Sequence, residues 1–129
     1  MTRRTHILWA LPITALLAAT AAMAPASAAP AEIAHGDFLF NTKSGHSLDM
    51  RNPPAGKCIK MPAEGSTDGT NQTDKTAHIF ATFVSATDCR GELAVAGKGN
   101  PGRGTPWSTP GFNPTAHAVR FDCDNPSVC

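Results

Sequence analysis

Thr76-Ala-His-Ile-Phe-Ala-Thr-Phe-Val-Ser85 is the stretch on which the fold turns. Ile79, Ala81 and Phe83 recur at every second position, the period of a strand with one face buried. Working outward, Thr87-Asp-Cys-Arg-Gly91 is expected to end that strand as a turn, and Glu92-Leu-Ala-Val-Ala96 forms a shorter strand beyond it. Upstream, Asp37-Phe-Leu-Phe-Asn41 is bounded by Gly36 and by Ser44-Gly45, and Cys58-Ile-Lys-Met61 is a second candidate. Arg51-Asn-Pro-Pro-Ala-Gly56 forces a loop between them, because each proline removes a backbone donor and biases its predecessor away from helix. Ala116-His-Ala-Val-Arg-Phe121 is the last strand.

Two long stretches carry no such pattern. Glu64 to Lys75 is rich in Gly, Ser, Thr, Asn and Asp and is expected to be an exposed connection; Gly97 to Gly111 is expected to be an irregular loop. Short strands separated by turns predict an all-β domain, a small Greek-key β-sandwich. Its expected core is Phe38, Phe40, Ile59, Ile79, Phe83, Leu93, Val95, Val119 and Phe121.

The first 28 residues have the form of an export signal. Arg3 and Arg4 precede an apolar run from Ile7, and Ala26-Ser27-Ala28 supplies the small-residue cleavage pattern, which puts the start of the mature chain at Ala29. Pro12 and Thr14 interrupt a run already shorter than the ~20 residues of a spanning helix. The expected organisation is a signal-peptide helix over residues 1–28, a disordered N-terminus over 29–35, and one domain over 36–129, secreted and extracellular. Without Arg3 and Arg4 the 11 basic residues become nine against ten acids, interspersed, so nothing marks a nucleic-acid or membrane partner.

All four cysteines, Cys58, Cys89, Cys123 and Cys129, lie in the mature part. An even count in a small exported chain predicts two disulfides, and no C-x-x-C pair suggests zinc. Of the three possible connectivities the favoured one joins Cys58 to Cys89 and Cys123 to Cys129, the latter closing a tail loop through Asp124-Asn-Pro-Ser-Val128.

Phe80-Ala-Thr-Phe-Val-Ser-Ala-Thr-Asp-Cys-Arg-Gly91, followed after a variable stretch by Ala116-His-Ala-Val-Arg-Phe121, resembles a βγ-crystallin-type Greek-key motif. Such motifs open on an aromatic hairpin ending in x-Gly and close on small residues before an apolar-basic-apolar strand. Gly36 to Phe121 is similar to small exported actinobacterial proteins, among them crystallin-like peptidase inhibitors. The resemblance implies a fold. It implies no calcium site, because Asn113-Pro-Thr-Ala-His-Ala118 has neither complete element of the calcium-binding motif, and Asp68, Asp74 and Asp88 are irregularly spaced.

No nucleophile elbow, H-E-x-x-H pair or unpaired cysteine is present. His35, His46, His78 and His117 stand at no ligand spacing, and Asp37, Asp49, Glu64, Glu92 and Asp122 are carboxylates whose separation sequence cannot supply. Asn71-Gln-Thr73 matches a glycosylation sequon, read here as part of a polar loop. The expected function is therefore a non-enzymatic binding protein, a monomer without metal or cofactor. Its partner would be an extracellular protein such as a protease, with a cell-surface glycan, in a structural or antimicrobial role, as the alternative. The contact loop is Gly97–Gly111, with Arg103 and Trp107 as anchors, the residue types that dominate interface energetics.

Overall fold

The structure is a computed structural model that describes residues 31–111 and 115–129; the expected signal peptide lies outside them. The described residues form eight strands: β1 (Gly36–Thr42), β2 (Ser47–Arg51), β3 (Cys58–Lys60), β4 (Ser66–Thr73), β5 (Ala77–Ser85), β6 (Asp88–Ala96), β7 (Thr105–Ser108) and β8 (Ala118–Phe121). One sheet has the order β2-β1-β4-β7 and the other β3-β8-β5-β6, every named pairing antiparallel. The chain is thus a disulfide-bonded Greek-key sandwich in which each half, β1–β4 and β5–β8, gives its third strand to the other half's sheet. Residues 32–35, expected to be disordered, are held: Ile33 bridges Pro54, Ala34 is fully buried, and the Ala55 amide donates to the Glu32 carbonyl at 2.9 Å.

Period-two alternation carries the core. Phe38 and Phe40 point inward from β1, and Ala77, Ile79, Val119 and Phe121 point inward from β5 and β8. Phe38 meets Phe121 edge-on across the sandwich at 5.3 Å between centroids and stacks on Trp107 of its own sheet at 5.7 Å. Ile59 and Leu93 pack at the margin of this cluster, but Val95, expected inside, is 54% exposed. Its register explains the difference: Val95 lies opposite His78, and both stand on the outer face because their neighbours Ala77, Ile79 and Ala96 fill the inner one.

The polar stretch 64–75 is the main correction to the sequence reading. It is β4, flanked on both sides in its sheet, and its inward positions are polar. Asn71 and Thr73 are fully buried. Asn71 Nδ2 donates to the carbonyls of Lys75, Ala96 and Gly97 at 2.8–3.1 Å, while its Oδ1 accepts from Thr73 N and Oγ1 at 3.0 and 2.7 Å. With every polar atom satisfied, the buried amide is tolerated where an unpaired one would be costly. Gly69, also on β4, is required for close approach: a Cβ there would sit 2.2 Å from the Leu39 carbonyl oxygen and 2.8 Å from Trp107 Nε1.

A second cluster covers the outer face of the other sheet. Cys58, Phe80 and Ala118 are buried there, with Phe83 and Cys89 packed against them. Phe83 was expected in the main core. Register shifts at Ile79/Phe80 and Phe83/Ser85 bend the β5–β6 hairpin. Its tip returns over the outer face, where Ala86 accepts from the Cys58 amide at 2.8 Å. The expected turn at 87–91 is correspondingly short, since β6 already begins at Asp88. The Cys58–Cys89 disulfide fastens this fold-over between the two edge strands, and Cys123–Cys129 closes the tail over its 3₁₀ turn, Pro126–Val128. These bridges belong to an oxidising compartment. No helix of the described residues is long and apolar enough to cross a membrane.

Candidate contact surface

The stretch 97–111 is not wholly irregular. β7 occupies Thr105–Ser108 and adds to the edge of β4, with Trp107 opposite Gly69. The indole therefore lies in the core, 5% exposed, rather than on the loop's surface. Its Nε1 is buried without a hydrogen-bond acceptor, so the ring is held by stacking and packing. Tryptophan attracts attention in the sequence because it is rare here and favoured at interfaces. The missing signal was the Gly69 slot, which only the pairing of β4 with β7 reveals.

Arg103 has the opposite fate. Gly99 and Gly104 press the bases of the loop against β4, where a Cβ would lie 2.1 Å from the Asn71 carbonyl oxygen or 1.8 Å from Thr70 Cγ2. Between them Asn100 and Arg103 exchange backbone hydrogen bonds, each 2.8 Å. Pro101 and Gly102, the latter at φ 79°, fill the positions of a type II turn. The Thr105 hydroxyl donates to the Lys98 carbonyl at 3.1 Å, bracing the stem. The result is a short exposed tip carrying Lys98 and Arg103, and among the described residues no carboxylate makes a hydrogen bond or ion pair with either.

The remaining candidates are scattered or occupied. Asp37 and Asp49 share the outer face of the first sheet, where partial desolvation and then the neighbouring Asp37 hold the Asp49 carboxyl above its ordinary range. Hydrogen bonds from the Thr42 and Ser44 hydroxyls lower the pKa of Glu64, on the loop before β4. Glu92 and Asp122 flank His78 on the outer face of the second sheet: Glu92 Oε1 is 2.5 Å from Nδ1 and Asp122 Oδ1 is 2.8 Å from Nε2. The two contacts make His78 a structural tie between β5, β6 and the exit from β8. His117 Nδ1 donates to the Ala81 carbonyl at 2.9 Å; His35 and His46 are exposed.

Asp68 accepts from Asn41, Asp74 from the His35 amide, and Asp88 from Arg90, so the three aspartates do not converge. Among the described residues one group has metal-ligating atoms close together, Glu32, Cys123 and Cys129, and its sulfurs are already joined in a disulfide. Near it, Lys75 is buried to 8% exposure and pairs with Asp124, with Glu32 Oε2 at 3.9 Å. That hydrogen bond raises the lysine pKa and lowers that of the aspartate. Asn71, the sequon residue, is consumed by its buried network, so its amide is out of reach in the folded domain.

The chain matches no protein-family model, no curated protein and no solved structure.

Proposed function

We propose that this is a secreted binding domain that docks the clamped turn Asn100–Arg103 into an acidic site on an extracellular protein, an arginine-specific protease being the sharpest candidate. The observation that carries the reading is the tip itself: an exposed guanidinium on a turn fixed by reciprocal backbone bonds and by two glycines seated on β4. Pre-organisation matters because a loop already in its bound shape loses little entropy on docking, and in an inhibitor it resists cleavage. Arginine adds a planar fork of donors suited to a carboxylate at the bottom of a pocket. The two segments that resemble a crystallin-type motif are neighbours in one sheet, β8 beside the β5–β6 hairpin, which supports a kinship with crystallin-like inhibitors. The glycan reading draws no support of this kind, since no aromatic is exposed among the described residues to stack on a sugar.

The test is titration of the oxidised protein against a panel of extracellular serine and metalloproteases, scoring residual activity and survival of the domain. Stoichiometric inhibition of an arginine-specific enzyme, lost in Arg103→Ala and retained in Lys57→Ala, an exposed basic residue just before β3, is the expected result. Inhibition that survives Arg103→Ala, or none across the panel, would remove the turn from this role.

A further inference from the structure

Each sheet of the sandwich has two edges, and they are unlike one another. β7 carries Pro106, β3 is three residues long, and β6 is broken by register shifts and pinned by the Cys58–Cys89 bridge. β2 has none of these protections. Its register with β1 runs unbroken from Arg51 to Ser47, and Ser47, Leu48, Asp49 and Arg51 are exposed. Among the described residues nothing pairs with its far side.

The direction of its backbone groups follows from two bonds. Asn52 N donates to Gly36 O and His46 O accepts from Thr42 N, both at 2.8 Å, so residues 46, 48, 50 and 52 bond inward to β1. The N–H and C=O groups of Ser47, Asp49 and Arg51 consequently point to the open edge. Side chains alternate in the same rhythm: Met50 and Leu48 share the inner row of Phe38 and Phe40, while Asp49 and Arg51 stand on the solvent face beside Leu39 and Asp37.

We propose that this edge pairs with β2 of a second copy, antiparallel about a two-fold axis at Met50, joining two four-stranded sheets into one continuous sheet. The register is selected by two physical filters. A one-residue slip sets outward amides against inward ones and makes no ladder. Of the registers left, one centred on Asp49 puts that carboxylate against its own copy beside Asp37, and one centred on Leu48 faces Asp49 with Ser47 and leaves Arg51 beyond the strand. Centring on Met50 sets Asp49 opposite Arg51 of the second copy, and Arg51 opposite its Asp49, at outward-bonding positions on the same face. Charges on an edge strand ordinarily discourage pairing, yet here their order makes the strand complementary to itself. Arg51 already pairs with Asp37 of its own chain at 3.4 Å, and Asp49 of the second copy would share that guanidinium. The Asn100–Arg103 turn leads into β7, the opposite edge of the same sheet, so both turns stay free.

Sedimentation velocity on the full chain, purified with its disulfides formed, tests this from micromolar to millimolar concentration at low salt. The expected result is a concentration-dependent shift to dimer. Asp49→Arg or Arg51→Asp alone should weaken it at least about tenfold, equivalent to ~1.4 kcal/mol, and the double swap should restore it. A second readout does not depend on charge. Residues facing each other at a non-hydrogen-bonded antiparallel position have Cα atoms ~4.5 Å apart, within disulfide range, so Met50→Cys should form a covalent dimer under mild oxidation. A monomer throughout, a double swap that stays monomeric, or Met50→Cys that never cross-links would each overturn the proposal.

Discussion

Replacing Cys58 and Cys89 together by alanine tests how the sandwich is held shut. The two residues are separated by 31 positions in sequence. Releasing a loop of that length returns configurational entropy to the unfolded chain equivalent to about 3.7 kcal/mol at 25 °C. At roughly 4–5 °C per kcal/mol for a domain near 100 residues, the melting temperature should fall by roughly 15–20 °C. The tail bridge, with a separation of 6, is worth about 2.4 kcal/mol and roughly 10 °C on the same basis. Calorimetry on the two double variants measures both. Hydrogen exchange adds a local signature: the Cys58 amide, bonded to Ala86 at 2.8 Å, should lose protection first as the hairpin lifts from Phe80 and Ala118. A shift below about 5 °C for the Cys58/Cys89 pair, or a larger one for the tail pair, would refute the reasoning.

Three further outcomes are expected. Asn71→Asp keeps the shape but turns a donor toward three carbonyls into an acceptor, so chemical denaturation should show a loss of about 3 kcal/mol or more. Trp107→Ala should cost about 3–5 kcal/mol by emptying the slot over Gly69, while Arg103→Ala should stay within about 0.5, and thermal melts of the two variants separate these roles. The Lys75–Asp124 pair confers pH dependence at both ends. The lowered aspartate pKa gives stability that is present above about pH 4 and lost as acid protonates it through its folded value. The raised lysine pKa gives stability present below about pH 10.4 and lost as base removes its proton; melts of Lys75→Met across pH should be flatter at both extremes.

The apolar strands were legible in the sequence because period-two alternation survives in Phe38, Phe40, Ile79, Val119 and Phe121. The favoured disulfide pairing is also the one the fold contains. β4 was illegible for a physical reason: its inward residues are Gly69, Asn71 and Thr73, which work by thinness and hydrogen bonding, and neither property appears in a hydrophobic pattern. β2, Ser-Leu-Asp-Met-Arg, was too short and charged to register. For the contact loop, composition located Arg103 and Trp107 together but could not separate them. Their separation is set by strand pairing, with Trp107 facing the core from β7 and Arg103 closing the turn before it.

The exchange of third strands has a consequence for a chain made from its N-terminus forward. When β1 to β4 have been synthesised, β3 has no neighbour, since its partner β8 ends at Phe121, and β4 lacks the β7 that lays Trp107 over Gly69. Asn71 likewise waits for Ala96 and Gly97. Neither sheet can therefore be completed until nearly the whole sequence is available: β2, β1 and β4 can pair early, but β3 and the fourth position beside β4 stay empty until β7 and β8 arrive.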